Sequence, residues 1–488
     1  MRIGDGIEGR LADREPPDEL QRAVSKARGL IEEHFPGLWP AVDAGLAVCA
    51  TLLLQDNANP VALVYVGPPA SGKTTVADLF AQHALAYRSD TFTPAAFVSN
   101  SANVKKSDLE DIDLLPRIRH KVLVTPELAP IFRGDVDNLV RQFATLVRVL
   151  DGQGLMTDMG THGRRGYAGD YLFAWLGCTT PIPPNVWELM AQLGSRLFFL
   201  TMEPHQDVTI EGLVATLGSH LSYRESLEVC RSAVEIVLSE LVSAYGAPCP
   251  EQHDVGCAAR AVVWPRAQDS LEARTWIARL ARVVAAMRSV PTKEDDDSFG
   301  FTLGHGEAPH RALNVLYNLA RGHALVHGRS RLTHEDLAVV AAVAVSSMGT
   351  AAGKVFAALV KSPDGRLSVA QVKQALGVKH HGTASAFMEQ LDHRGVLELV
   401  ATAPGQPKHL QVRDEWAWCT SPEFRDLLGV GLVNPPGVCV PLATDNLAKR
   451  QRKQEEMEEA HTPEELTGVV DGEVCEGLQT PQGEPSGR

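Results

Sequence analysis

The sequence predicts an α/β core built on a parallel sheet, followed by a long helical segment and a small module of three helices and a hairpin. Three observations lead there. Short apolar, β-branched runs alternate with amphipathic helical stretches between Val61 and Thr201, which implies a parallel sheet covered on both faces. A glycine-rich turn of the pattern G-x-x-x-x-G-K-[ST] stands between the first of those strands and the helix after it. Near the C-terminus, three helical stretches run into two short strands around Ala403-Pro404-Gly405-Gln406-Pro407.

Length and composition set the frame. At 488 residues the chain has room for about three domains. A hydrophobic content of 44% supports real cores, and 22% charged residues is ordinary for a globular chain. The formal charge of -14 argues against a protein coated by nucleic acid or lying on an acidic membrane, while leaving room for a local basic patch. The eight cysteines contain no C-x-x-C pair, and Cys249, His253 and Cys257 fall short of a complete zinc set, so free thiols are expected. MRIGDGIEGR lacks the basic and apolar regions of a signal peptide, and Ala44 to Leu54 is far short of the roughly 20 residues of a membrane span. A cytoplasmic protein without a membrane partner is expected.

In chain order, Asp18 to Phe35 carries Leu20, Val24, Ala27, Leu30 and Ile31 at helical spacing. Val42 to Leu54 reads as a second, more buried helix, and these two make an N-terminal helical segment ending at residue 59. The core runs from 60 to 205. Its strands are Val61 to Val66, Ala84 to Arg88, Lys121 to Thr125, Phe173 to Cys178 and Leu197 to Thr201, with a strongly amphipathic helix over Asp135 to Leu150. From 206 to 349 the pattern is helical, clearest in Ala308 to Gly328 and in the helix opened by the Thr333-x-x-Asp336 capping box. Residues 350 to 430 form the last module, with helices over Lys354–Val360, Ser368–Leu376 and Ala384–His393 and strands over Val396–Val400 and Lys408–Val412. That order predicts a winged helix-turn-helix. The tail, 431 to 488, is polar and charged and cannot offset the entropy of ordering, so disorder is expected.

The chemistry begins at Gly67-Pro68-Pro69-Ala70-Ser71-Gly72-Lys73-Thr74, followed by Thr75. Two glycines let backbone N–H groups turn inward at the positive N-terminus of a helix, which makes an anion nest. Lys73 is placed for the β- and γ-phosphates of a nucleoside triphosphate, and the Thr74 hydroxyl for a Mg²⁺ shell. Strand ends supply further polar groups. Glu127 follows the third strand, where a carboxylate can polarise a water; Thr179 and Thr180 end the fourth; Arg196 precedes the fifth; Arg311 opens a later helix.

With these residues the chain resembles an AAA+ ATPase over roughly residues 60 to 345. The resemblance implies ATP and Mg²⁺ as cofactors and a ring or partial ring of identical subunits. In it Gly67 to Thr74 is Walker A and Glu127 the catalytic base of Walker B. Thr179 is sensor one, Arg196 an arginine finger donated to the neighbouring subunit, and Arg311 the sensor-two arginine of a helical lid. The stretch ALNVLYNLARGHALVHGRSRLTHEDL is most similar to the minichromosome-maintenance and MoxR-type branch, where a winged helix also follows the ATPase. One departure stands out. The acidic pair that usually ends Walker B is here Pro126-Glu127, so the carboxylate that fixes the metal's water shell is missing. Either Glu127 and Thr74 suffice for hydrolysis, or the protein is a nucleotide-gated switch.

Two regions are candidates for nucleic acid. In the helicase-like branch a β-hairpin lies between Walker B and sensor one. Here Thr157 to Asp170 would place His162, Arg164 and Arg165 at its tip, for phosphate contact or as a solvated loop. In the last module the DNA-facing set is Lys379, His380, His381, Arg394 and Lys408; about four neutralised phosphates would give a salt slope of roughly -3.6. Winged helices also dock proteins, so a DNA partner and a protein partner are both open, the latter also through the acidic tail.

Overall fold

A computed structural model describes residues 18–99, 105, 108–159, 163–194, 196–203, 210, 221–246, 262–289, 291–293, 301–303, 307–401 and 406–429. The readings on His162, on Cys249, His253 and Cys257, and on the tail 431–488 lie outside the described residues.

The N-terminal segment is two helices, α1 (Asp18–His34) and α2 (Trp39–Ala50). α1 buries only its Leu20, Val24, Ala27 and Ile31 stripe, whereas α2, apolar almost all round, is buried on nearly every side. α2 stops short of the expected Leu54; the chain tightens into a 3₁₀ turn over Thr51–Leu53.

The core follows as β1 (Val61–Val66), α3 (Lys73–Phe80), β2 (Ala86–Arg88), α4 (Leu109–Ile112), α5 (Leu114–Ile118), β3 (Val122–Thr125), α6 (Val136–Val149), β4 (Gly154–Met159), β5 (Gly163–Ala168), β6 (Ala174–Thr179), α7 (Pro184–Leu193) and β7 (Leu197–Thr201). Five strands pair in the order β2-β3-β6-β1-β7, all parallel. All six β1 residues are buried, because the sheet is covered on both faces. Val61, Leu63 and Tyr65 pack on one side, and Ala62, Val64 and Val66 on the other, against α5, α6 and α7. β4 and β5 form a separate antiparallel hairpin between β3 and β6 in the chain.

The first side of the sheet carries the long apolar core. It takes in α1, α2 and α3 and continues through α8 (Tyr223–Tyr245), α9 (Leu271–Arg288), α10 (His310–Val326) and α11 (His334–Ser346). The helical reading of 206–349 is corrected at one place among the described residues. β8 (Pro291–Lys293) and β9 (Phe301–Leu303) pair antiparallel, a pairing set by residues 8 to 12 apart that no local periodicity reveals.

The C-terminal module is α12 (Thr350–Lys361), β10 (Arg366–Ser368), α13 (Val369–Leu376), α14 (His381–His393), β11 (Leu397–Ala401) and β12 (Lys408–Val412). The Ser368–Gln371 capping box opens α13, with Ser368 N donating to Gln371 Oε1 at 2.8 Å. The sheet has three strands, β10-β12-β11, since Leu367 pairs with Leu410 as well as Leu399 doing so. A 3₁₀ turn (Asp414–Thr420) and α15 (Pro422–Leu427) then fold back. Phe424 stacks on Trp276 of α9 and Trp418 meets the same ring edge-on. Among the described residues no helix is long and apolar enough to cross a membrane.

Candidate functional site

The parallel strands end at one edge, and the candidate site lies there. Gly72 caps α3 in the left-handed region (φ 82°), where an L side chain would be strained and a Cβ would sit 2.7 Å from Leu38. A Cβ on Gly67 would meet the Met202 carbonyl oxygen at 2.3 Å and Ser71 Oγ at 2.7 Å, so the loop closes only around hydrogen. Lys73 is buried, and its Nζ donates to the Pro68 carbonyl at 2.6 Å and to Ser71 Oγ at 3.2 Å. Burial holds its ammonium below the ordinary lysine value, against the pull of Glu127. The Thr74 side chain is exposed, while Thr75 is buried, its Oγ1 2.9 Å from the Tyr223 hydroxyl. The set combines a positive helix end, a lysine held by a replaceable carbonyl and an exposed hydroxyl. That chemistry suits a phosphate with a bound metal.

β6 lies between β1 and β3, so the ends of the three strands stand side by side. Gly67 N donates to the Thr179 carbonyl at 3.3 Å, Leu128 N to the Cys178 carbonyl at 2.8 Å, and Thr179 is 2% exposed beside the loop. The Cys178 thiol donates to the Lys73 carbonyl at 3.2 Å, and burial pushes it up to about 12, which keeps it protonated. Glu127 is exposed, with Oε1 accepting from Ala129 N at 2.8 Å. The hydroxyl of Thr125 accepts from Trp175 Nε1 at 3.1 Å, and Pro126 offers no side-chain acceptor, so this pair supplies no carboxylate beside the loop.

Beside the loop is a cavity of about 600 Å³, lined among others by Phe35, Leu38, Ala41, Ser71, Thr201 and Tyr223. That is within the range of small-molecule sites. Phe35 and Tyr223 meet edge-to-face at 5.7 Å, and Tyr223 is 61% exposed at the rim. The sequence reading missed this wall. It is made by the α1–α2 connection, about 30 residues before the loop, and the start of α8, about 150 after it.

Arg196 and Arg311 come together, but not at the loop. Both donate to Asp151 Oδ1, Arg196 Nε at 3.3 Å and Arg311 Nη1 at 2.9 Å, and Arg148 lies 3.8 Å from Oδ2. Arg196 also donates to the Gly194 carbonyl. Burial and then the neighbouring Arg311 hold the Arg196 guanidinium below its ordinary value. Because Leu197 is level with Ala62 in the ladder, this cluster stands at the start of β1, about 20 Å from Gly67 along the strand. That distance is well beyond an arginine side chain.

The hairpin residues divide. Arg164 is exposed. Arg165, expected at the tip, is instead 8% exposed and turned inward, where it pairs with the fully buried Asp113 and donates to the Ser99 carbonyl. Asp113 also accepts from the Tyr167 hydroxyl at 2.7 Å and from Ser99 N at 2.6 Å. Strand alternation separates the two arginines: adjacent residues point to opposite faces. In the C-terminal module Lys379, His380, His381 and Lys408 are exposed. Arg394 is corrected: it donates to the Met287 carbonyl of α9, and burial holds its guanidinium down at about 10, so it faces protein.

An α/β fold with a five-stranded parallel sheet and a glycine-lysine turn at the carboxyl edge is the class of protein these features define. Compared with known protein families and curated proteins, the sequence matches none. It is similar to a solved structure described as the A form apo structure of the NrS-1 C-terminal region. The identity is 11% and the TM-score 0.26, over 82% of this chain and 77% of that one. A likeness of that size bears on neither fold nor function.

Proposed function

We propose that this protein is an ATP-binding, Mg²⁺-dependent AAA+ ATPase, assembled as a ring or partial ring and working as a helicase-like or loader-like motor on DNA. One observation carries the reading: the junction of β1 and α3. There a left-handed glycine, a helix N-terminus and a buried lysine held by the Pro68 carbonyl stand beside Thr179 and Glu127. On this reading Lys73 exchanges Pro68 for phosphate oxygens and Thr74 joins the metal's shell. Glu127 releases Ala129 N to orient and polarise a water. The cavity walled by Phe35 and Tyr223 takes the nucleoside. Arg148, Arg196 and Arg311 around Asp151, with Glu307 also near Arg196, leave an excess of positive charge too far from their own loop to serve it. They therefore act on a neighbouring subunit's phosphates, which is the argument for an oligomer. The C-terminal module is read as a winged helix, offering Lys379, His380, His381 and Lys408 to DNA.

Pro126 favours a second reading. With no acceptor there and Thr125 engaged by Trp175, the metal's water shell has one protein anchor fewer. The protein is then a nucleotide-gated switch that binds and scarcely hydrolyses. A MoxR-like remodeller, with the module docking a protein, shares the same nucleotide chemistry. Steady-state ATP hydrolysis with and without single- and double-stranded DNA, beside Lys73→Ala and Glu127→Gln, separates the three. Stimulation by DNA that both variants lose supports the motor, DNA-independent turnover supports the remodeller, and tight binding without turnover supports the switch.

A further inference from the structure

On the α2 side of the core, away from the loop, four titratable side chains meet that the nucleotide chemistry does not use. Asp43 of α2 approaches two histidines one helical turn apart, His323 in α10 and His327 at its end. Asp43 Oδ2 is 3.1 Å from His323 Nε2, and Oδ1 is 3.0 Å from His327 Nε2. One donor atom from each of the three residues lies within 4.8 Å of the others. The second ring nitrogen of His323, Nδ1, is 2.7 Å from Asp336 Oδ1 in α11.

We infer that Asp43, His323 and His327 form a binding site for a divalent transition-metal ion, zinc being the ion that fits, with Asp336 as the carboxylate that orients His323.

The donor set is two imidazole nitrogens and one carboxylate, the chemistry of zinc rather than of magnesium or calcium, which prefer oxygen shells. With metal–ligand bonds of about 2.0–2.1 Å, neighbouring corners of a tetrahedron lie roughly 3.3 Å apart. Each Nε2 now meets a different oxygen of Asp43, so admitting the ion needs the carboxylate to bind through both oxygens or to turn one of them to both rings. The three donors, now within 4.8 Å of one another, close to that spacing. With its proton on Nδ1, donated to Asp336, His323 would turn the Nε2 lone pair to the ion, the carboxylate–histidine–metal arrangement of zinc centres; Arg329 Nη2, 3.3 Å from the same Nδ1, donates to Asp336 as well.

Asp336 is itself fixed. Its Oδ2 accepts from Thr333 N at 2.7 Å and Thr333 Oγ1 at 3.0 Å, and its Oδ1 from Arg329 Nη2 at 2.5 Å. α2 and α10 are held in register beside the site: a Cβ on Gly322 would lie 2.1 Å from the Ala47 carbonyl oxygen. Three donors thus stand on packed helices, and His327, a quarter exposed, is the one nearest solvent. The ion would brace α2 against α10 and α11, and with α2 the wall of the cavity beside the loop.

The test uses the full chain, stripped with a chelator and titrated with Zn²⁺ by calorimetry, beside His327→Gln and Asp43→Asn. Cobalt(II) replaces zinc in a parallel absorption measurement on the wild type. One equivalent of zinc per chain is expected, weakened at least tenfold in each variant. The cobalt spectrum should show visible ligand-field bands and no thiolate charge-transfer band in the near ultraviolet. The cobalt spectrum needs no variant, so it stands even if a substitution unfolds the chain. Zinc binding that His327→Gln leaves unchanged, a thiolate band, or no zinc binding at all would each overturn the site. His323 would then be an imidazole hydrogen-bonded between two carboxylates and nothing more.

Discussion

The guanidinium of Arg321, with no exposed surface, donates to both carboxylate oxygens of Asp56 at 2.7 and 3.0 Å, across 265 residues of chain. The pair ties the turn that feeds β1 to the middle of α10. Asn318 Oδ1 accepts from the same guanidinium, and the ring of Tyr317 lies 4.5 Å beneath it.

Removing Asp56 leaves that guanidinium buried without its counter-ion. Breaking a fully buried pair costs about 3–5 kcal/mol, and Asp56 is 37% exposed, so Asp56→Asn is expected to cost roughly 2–3 kcal/mol. Urea unfolding at neutral pH measures it. Burial alone would raise the Asp56 carboxyl, but Arg321 and Arg266 outweigh it and hold it below the ordinary aspartate value. The pair's stabilisation is therefore complete above about pH 4 and is lost as pH falls through the lower folded value. The stability gap between wild type and variant should close in acid and nowhere else.

Gly67→Ala puts a methyl group where the Met202 carbonyl oxygen stands 2.3 Å away. The loop must shift, and the N–H nest with it. The expected result is loss of the thermal shift given by ATP with Mg²⁺, with far-UV circular dichroism unchanged. An undiminished shift would contradict the nest.

Arg164 and Arg165, adjacent in sequence, should behave as different kinds of residue. Arg165→Met strands the buried Asp113 carboxylate and is expected to destabilise by about 3 kcal/mol. Arg164→Ala should stay within about 0.5 kcal/mol, as exposed substitutions do. Any loss of DNA affinity in a stable protein should come from Arg164.

For the C-terminal module, Lys379→Ala is expected to reduce the slope of log K against log salt by about 0.9, one phosphate contact. Arg394→Ala should leave the slope unchanged and lower the melting temperature, since Arg394 holds the Met287 carbonyl. Fluorescence anisotropy across a salt series, with a melting curve for each variant, reads both.

The core was legible where one period dominates. The runs VALVYV and LFFLT are the strands β1 and β7 to the residue, and α6 departs from its expected range by one residue at each end. The Ser368 box and Gly377, at φ 67°, set both ends of α13 as local chemistry requires. Where residues far apart had to be matched, the pattern was silent: β8 with β9, β10 as a third strand, and Asp151 as the shared partner of Arg196 and Arg311. His323 and His327 drew no reading in the sequence, since two histidines at i and i+4 meet a carboxylate only when Asp43 arrives from another helix.

The sequence by itself determined the α/β order, the glycine-lysine turn between β1 and α3, and the capped helices of the C-terminal module. Those follow from interactions within a few residues: side-chain periodicity, the backbone freedom of glycine, and end-capping hydrogen bonds. Only the tertiary structure decided which charged residues face solvent and which face a partner. Arg165 and Arg394 carry the same side chain as Arg164. A guanidinium goes inside where the fold brings Asp113 or the Met287 carbonyl to meet it, because a buried charge without such a partner costs more than folding supplies.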